Sequence, residues 1–214
     1  MNKLTRIYIV RHGESEGNVK ERLGESFEPT EHGPSLTEKG KLQAAALAKK
    51  LRIVHFDVAF SSDFLRAKET AEILTLERDI AATTTQAIRE RHGGSYEGKW
   101  HEIKHLLREK IEKLANLEEK LNYTYKDIEN EGSAANRLLT FVREVAVAYS
   151  GKTVLIVCHG NLMRSFLIKI GFAQYEELGI GTLENTGYFV LESDGIDFFV
   201  KETHGIHKQT IKRL

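Results

Sequence analysis

Two stretches of this chain share one form, an apolar β-branched run that stops at a histidine followed by glycine. Ile7-Tyr8-Ile9-Val10 leads into Arg11-His12-Gly13, and Val154-Leu155-Ile156-Val157-Cys158 leads into His159-Gly160. Neither run alternates apolar with polar residues, so both faces must be buried. That pattern marks a central strand of a parallel sheet covered by helices on both sides. Ligands of open α/β sheets collect beyond the carboxyl ends of such strands. The sequence thus predicts two histidines, one flanked by arginine, at a ligand-binding edge.

The residues between and beyond these runs supply the alternation that such a sheet needs. Further strands are predicted at 57–61, 83–88, 186–191 and 196–202, the last two joined by the hairpin signal Ser193-Asp194-Gly195. Helices are predicted from Thr37 as N-cap to about 51, from Ser62 or Asp63 as cap to about 77, from Ser133 as cap to 149, and from Gly160 to 170. Residues 11–30, with glycines at 13, 17 and 24, read as a loop. From 100 to 121, Ile103, Leu107, Ile111, Leu114 and Leu121 keep near-helical spacing within a charged stretch, which reads as an amphipathic rim helix. The expected architecture is a three-layer α/β sandwich with a mainly parallel sheet and an antiparallel edge. It forms one domain over 1–214, with a helical rim or cap at about 99–132.

Charge and composition narrow the function. The 31 basic and 31 acidic residues balance, and no basic block occurs, which disfavours non-specific nucleic-acid binding. No apolar run approaches the roughly 20 residues of a membrane span, and the amino terminus does not resemble a signal peptide. Cys158 is the single cysteine, so an intrachain disulfide is excluded and a reducing, cytoplasmic setting is expected.

Four segments carry chemistry: Arg11-His12-Gly13, the stretch from Ser62 to Ala71 containing Arg66, the stretch Arg89-Glu90-Arg91-His92, and His159-Gly160. In a parallel sheet all four would emerge at one edge. Phosphoryl transfer suits this set, because it depends on positioning and on positive charge around three phosphate oxygens. Arginine grips phosphate with a planar fork and stays protonated. A neutral imidazole can attack phosphorus, and a carboxylic acid can protonate the departing oxygen. No metal or other cofactor is required where cations and amides supply the field.

Taken in order, Arg11-His12-Gly13-Glu14-Ser15, Asn18, Leu36-Thr37 with Gly40 and Gln43-Ala44, Ser62-Asp63 with Arg66-Ala67 and Thr70-Ala71, Glu90, Glu97-Gly98 and His159-Gly160 resemble the histidine phosphatase superfamily, with its phosphoglycerate mutase-like fold. The resemblance covers nearly the whole chain. It implies that His12 is the nucleophile and that Arg11, Arg66 and His159 hold the phosphate. It adds Asn18, Gly160 and Arg91 as substrate contacts, with Glu90 as the proton donor that later activates water. The chain departs from the family in a longer stretch between Arg22 and Leu36, bearing Glu25, Glu28 and Glu31, and in a cysteine before the second histidine.

The resemblance points to a metal-independent phosphomonoesterase acting on a small phosphorylated metabolite. The alternatives are mutase-type phosphoryl transfer and, more remotely, a silent phospholigand-binding domain. The run Tyr96-Glu97-Gly98-Lys99-Trp100 resembles the phosphatase branch, whereas Glu90-Arg91-His92 has a mutase character. The segment after Trp100 and the loop at 23–34 are expected to frame the mouth of the site.

Two patterns compete with this reading. His101-Glu102-Ile103-Lys104-His105 has zinc-protease spacing, but no third ligand follows and Ile103 takes the inward position. Cys158 through Arg164-Ser165 fits the loop of cysteine-dependent phosphatases, yet no Asp-Pro acid exists, and Cys158 reads as a buried strand-end residue. His32, His55, His204 and His207 are expected at the surface.

Overall fold

Side-chain alternation along the central strands builds the layers. The computed structural model describes residues 3–179 and 181–210. In chain order its elements are β1 (Thr5–Arg11), α1 (Glu16–Leu23), α2 (Glu38–Lys50), β2 (Val58–Ser62), α3 (Leu65–Thr75), β3 (Ala82–Thr85), α4 (Trp100–Glu112), α5 (Leu117–Asn122), α6 (Glu131–Ala148), β4 (Thr153–Cys158), α7 (Gly160–Lys169), β5 (Leu183–Ser193) and β6 (Phe198–Ile206). The sheet order is β3-β2-β4-β1-β5-β6, parallel from β3 to β1 and antiparallel beyond. Ile7, Ile9, Val154 and Ile156 pack with Leu138 and Val142 of α6 and Leu162 and Phe166 of α7 on one face. Their neighbours Tyr8, Val10, Leu155 and Val157 pack with Leu47 of α2 and Ala67, Ala71 and Leu74 of α3 on the other. The three-layer sandwich follows from that period of two.

Several local expectations need correction. Residues 16–23 form a helix, not a loop. The Ser15 side chain accepts from the Asn18 N–H, the Asn18 side chain accepts from the Ser15 N–H, and Gly24 ends the helix with a left-handed φ of 73°. The cap of α3 is Phe64, without a side-chain bond, because Asp63 is drawn off to Arg89. Asn130, not Ser133, caps α6, its Oδ1 accepting from the Ser133 N–H. The rim helix breaks in two because Asn116 caps a new helix at Leu117. The third strand stops at Thr85, whose hydroxyl accepts from the Ala87 N–H and opens a short 3₁₀ turn.

The loop leaving β1 lies on the start of α2 with backbone against backbone. A Cβ added at Gly40 would stand 2.0 Å from the Glu14 carbonyl oxygen, and one at Gly13 would stand 2.5 Å from that of Gly40. Neither contact has a side chain that could yield. Gly40→Ala is therefore expected to destabilise the protein by about 2–3 kcal/mol. Leu42→Ala, on the exposed side of the same helix, should change stability by less than about 0.5 kcal/mol. Urea unfolding of the two variants checks this, and equal effects would contradict the close-packing account.

Candidate active site

Parallel pairing brings the two histidines together. Arg11 lies in register with Cys158, so the residues that follow, His12 and His159, leave the sheet at the same level. The His12 N–H donates to the Cys158 carbonyl at 3.1 Å, and the two ring centroids are 5.2 Å apart. Both histidines are buried. The Nδ1 of His12 lies 2.7 Å from the Gly13 carbonyl oxygen. A carbonyl only accepts, so Nδ1 carries the hydrogen and Nε2 is left with its lone pair. The Arg66 Nε–H donates to that Nε2 at 3.2 Å.

Burial, helped by the Arg66 and Arg11 guanidiniums, holds His12 well below the usual imidazole range. Burial likewise lowers His159, with Arg66, His12 and Arg11 adding to the effect. Burial also lowers Arg11, and brings Arg66 down to about 10, which leaves it charged at neutral pH. The centre therefore holds two guanidinium cations beside two neutral imidazoles. Arg11 Nε and both ring nitrogens of His159 are buried with no partner among the described residues. Buried polar atoms need partners, and a phosphate-sized anion would satisfy these.

Neighbouring side chains hold Arg66 in place. The Phe64 ring is flanked by the guanidiniums of Arg66 and Arg89, each 4.9 Å from its centroid, and meets the His159 ring edge-on. Arg89 is fixed by two bonds to Asp63, at 2.7 and 2.6 Å. Gly33 backs Arg66 from the other side, where an added Cβ would stand 2.8 Å from Nη1. Thr70 accepts from the Gly13 N–H and donates to the Arg66 carbonyl, tying α3 to the β1 exit.

Glu90 lines the same cavity, of about 800 Å³, on the wall by α7. Its Oε1 accepts from the N–H groups of Arg91 and Leu162 at 2.8 and 2.9 Å, and its Oε2 from that of Asn161 at 3.1 Å. These bonds fix the carboxyl plane and leave Oε2 the freer oxygen. Arg137 braces the preceding turn by donating to the carbonyls of Ala87, Arg89 and Glu90. Gly160 leaves room for Arg11, whose Nε would lie 3.0 Å from an added Cβ. Asn18 lines the cavity, but its Oδ1 is occupied by the Ser15 N–H and the Asn185 amide, so only its NH₂ is free to face a ligand. Arg91 also reaches the cavity, yet its guanidinium is bound to the Glu129 carbonyl and to Glu131 and lies over the Trp100 ring. It braces the wall.

The sequence reading missed the start of β5. Leu183 offers its carbonyl to Arg11. The His12 carbonyl accepts from the Thr186 N–H and from Asn185 Nδ2, both at 3.2 Å. Asn185 Nδ2 also reaches Asn18 Oδ1 at 3.1 Å. Thr186 holds φ at 59°, an unfavourable conformation for a β-branched residue. The segment at 183–186 thus grips Arg11, His12 and Asn18 from behind. The only signal in the sequence was the Asn-Thr-Gly at the mouth of a predicted strand.

Neither competing pattern gathers its chemistry. His101 lines the cavity while His105 is exposed, Ile103 is buried, and no metal-binding group of three or more His, Cys, Asp or Glu occurs among the described residues. Cys158 is fully buried, and burial pushes its thiol up, away from the reactive thiolate. Arg164 is committed to Glu131 at 2.7 Å. The loop at 23–34 and the start of α4 frame the mouth, with Glu25 and Glu31 on its wall. His204 is exposed and stacks on Tyr188, and His207 is exposed and pairs with Glu184 at 2.9 Å.

Comparison with known proteins accords with this geometry. The model of the histidine phosphatase superfamily (branch 1) matches residues 7–204. A probable phosphatase of Schizosaccharomyces pombe is 31% identical over 176 residues, covering 78% of this chain and 76% of its own. A 2,3-bisphosphoglycerate-dependent phosphoglycerate mutase of Gloeobacter violaceus is 29% identical over 186 residues, covering 80% and 78%. The solved structure of Bacillus stearothermophilus YhfR superposes with a TM-score of 0.75 at 28% identity, covering 94% of this chain and 97% of that one.

Two outcomes are expected from the cradle. Asn185→Ala should weaken binding of orthovanadate, a phosphate mimic, by about two- to tenfold, the worth of about 0.5–1.5 kcal/mol for a lost hydrogen bond, since the His12 carbonyl keeps only the Thr186 N–H and Asn18 loses its link to β5. Calorimetric titration reads this, and unchanged affinity would show that the segment at 183–186 does not position His12. The second outcome concerns pH. His12 and His159 are lowered in the fold, so the unfolded chain binds more protons than the native one just below pH 6.5. Their contribution to stability is complete above that pH and is lost as pH falls through the window beneath it. The loss is at most about 2.7 kcal/mol per pH unit for two protons. Unfolding measured from pH 7 to 5 should show this decline, and replacing both histidines with asparagine should flatten it.

Proposed function

The chain belongs to the histidine phosphatase superfamily, branch 1, and from that premise we propose that it is a metal-independent phosphomonoesterase that hydrolyses a small phosphorylated metabolite through phosphohistidine. The observation that carries this reading is the fixed tautomer of His12. Its Nδ1–H is engaged by Gly13, and its Nε2 lone pair faces the Arg66 guanidinium, where a phosphate would sit.

In the proposed reaction Arg11 and Arg66 take the phosphate oxygens, and His159 completes the cradle. Nε2 of His12 attacks phosphorus while the bond to the ester oxygen breaks, and Glu90, entering as the acid, gives that oxygen its proton. The alcohol leaves. Glu90, now a carboxylate, takes a proton from water as the water oxygen attacks phosphorus, and the bond from phosphorus to Nε2 breaks. Phosphate is released with His12 neutral again. The guanidiniums supply the positive field that a metal supplies elsewhere.

Mutase chemistry is the second reading, favoured by the Gloeobacter relative. It requires that phosphohistidine be shielded from water and that the phosphoryl group return to a bound sugar acid. A mouth of this volume, lined by the exposed residues Glu25, Pro29 and Glu31, favours water as acceptor.

His12→Ala should lower kcat for a phosphomonoester by at least a thousandfold, whereas Cys158→Ser should keep substantial activity. Brief reaction with a ³²P-labelled ester should yield acid-labile, base-stable label on the native chain and none on His12→Ala. Turnover should be insensitive to chelator and release free phosphate, with no isomerised ester. Full activity of His12→Ala, or loss of activity in Cys158→Ser alone with the fold intact, would move the nucleophile elsewhere.

A further inference from the structure

A carboxyl group serves as acid or base only where its proton can pass along a short hydrogen bond. Glu90 stands on a stretch, 89–93, that has no regular secondary structure. Its carboxyl oxygens are held by the N–H groups of Arg91, Asn161 and Leu162. Those bonds orient the end of the side chain but do not fix the backbone from which it springs. Two residues far along the chain do that: Arg137 of α6, and Glu129 just before that helix.

Arg137 lines the cavity, yet its donors are already committed. Its Nη1 donates to the carbonyls of Ala87 and Arg89 at 2.9 and 3.1 Å. Its Nη2 donates to the Glu90 carbonyl at 3.3 Å and to Glu129 Oε2 at 2.9 Å, and its Nε donates to Glu129 Oε1 at 2.9 Å. A guanidinium has five N–H groups in one plane, and these five bonds use them all. Glu129 grips the chain on the other side of Glu90. Its Oε2 accepts from the His92 N–H and its own N–H donates to the His92 carbonyl, both at 3.0 Å, while its carbonyl accepts from Arg91 Nε at 2.6 Å. One ion pair thus fastens the backbone before and after Glu90, with no donor of Arg137 left for a substrate.

We propose that Arg137, with Glu129, is a positioning residue for the acid and base steps assigned to Glu90, and takes no part in holding the transferring phosphate. The proposal rests on the phosphatase reading above and adds to it a pair that touches no reacting atom. The planar fork that serves phosphate in Arg11 and Arg66 is spent here on carbonyls and a carboxylate. Without it the turn at 87–90 would shift, while Arg11, His12, Arg66 and His159 stand on other elements and keep their places. Misplacing a catalytic group by about 1 Å costs about a hundredfold in rate. That cost should follow the leaving group. An alkoxide needs a proton as it departs, whereas dinitrophenolate is a stable anion and leaves without one.

Glycerol 3-phosphate and 2,4-dinitrophenyl phosphate test this, compared by kcat/KM, which reports only the steps through formation of phosphohistidine. Arg137→Met should lower kcat/KM for glycerol 3-phosphate by about thirtyfold or more and that for the dinitrophenyl ester by less than about threefold. The variant should also release a burst of dinitrophenolate, because hydrolysis of phosphohistidine still needs Glu90 as base. Glu129→Gln, which leaves Arg137 a single acceptor oxygen, should show the same split at smaller size. If Arg137→Met does not fold, Arg137→Lys, which keeps a cation beside Glu129 with fewer donors, carries the same comparison. Equal proportional losses on the two esters, or no loss on either, overturn the proposal. If the native chain hydrolyses neither ester, the phosphatase reading fails. In that case, or if glycerol 3-phosphate alone is left intact, amide hydrogen exchange decides. Arg137→Met should then speed exchange at Asn161 and Leu162, whose N–H groups Glu90 holds, by about tenfold or more relative to Met163, whose N–H is bonded within α7 to the His159 carbonyl. Unchanged relative exchange overturns the proposal.

Discussion

Everything at this site depends on two parallel strands ending in step. The register that sets Arg11 opposite Cys158 leaves His12 and His159 no alternative but to share one level of the sheet edge. Once both rings are buried beside Arg11 and Arg66, protonating either would add a cation to a place that already holds two. Desolvation and like-charge repulsion then act in the same direction, and the imidazoles stay neutral. The hydrogen on Nδ1 is assigned by the Gly13 carbonyl, so the nitrogen that keeps its lone pair is chosen by the backbone. In the proposed reaction, a nucleophile prepared in this way needs no general base to activate it.

The remainder of the cavity is organised by neutralisation. The arginines of the cavity other than Arg11 and Arg66 are bound to carboxylates, often from distant parts of the chain. Arg89 reaches back to Asp63, and Glu131 serves Arg91 and Arg164 together. The buried pairs of Glu131 give little net stability but define geometry, because losing one partner strands the other. Their role here is to hold the loop after β3, with Glu90, against the amino terminus of α7. Glu90 is in turn held by two N–H groups from that helix and one from its own loop.

Much of this was legible in the sequence because its signals are local. The β-branched runs before His12 and His159 announce central strands, and the spacing around Arg66 announces a helix at the phosphate edge. What remained hidden depends on long-range pairing. The helix at 16–23 was obscured by flanking glycines, although Ser15 and Asn18 formed a capping pair. Asp63 looked like a helix cap, and became instead the partner of an arginine 26 residues away. The family resemblance implied Arg91 as a substrate contact, and only the positions of Glu129 and Glu131 show its guanidinium to be engaged within the chain. Asn185 and Thr186 could not be singled out, since their value lies in touching His12 from the opposite end of the chain.

That last contact bears on how the protein comes to exist. Strands β1 through β4 and both histidines are translated before the segment that fastens Arg11, His12 and Asn18 from the rear. A nascent chain halted after α7 would contain every side chain assigned here to bond making and breaking, without the brace that aims them. Competence to bind phosphate should thus arrive late in biogenesis, when the antiparallel hairpin closes the sheet. The hairpin contributes none of the groups assigned to the proposed reaction, yet the cradle is incomplete until its first strand is in place.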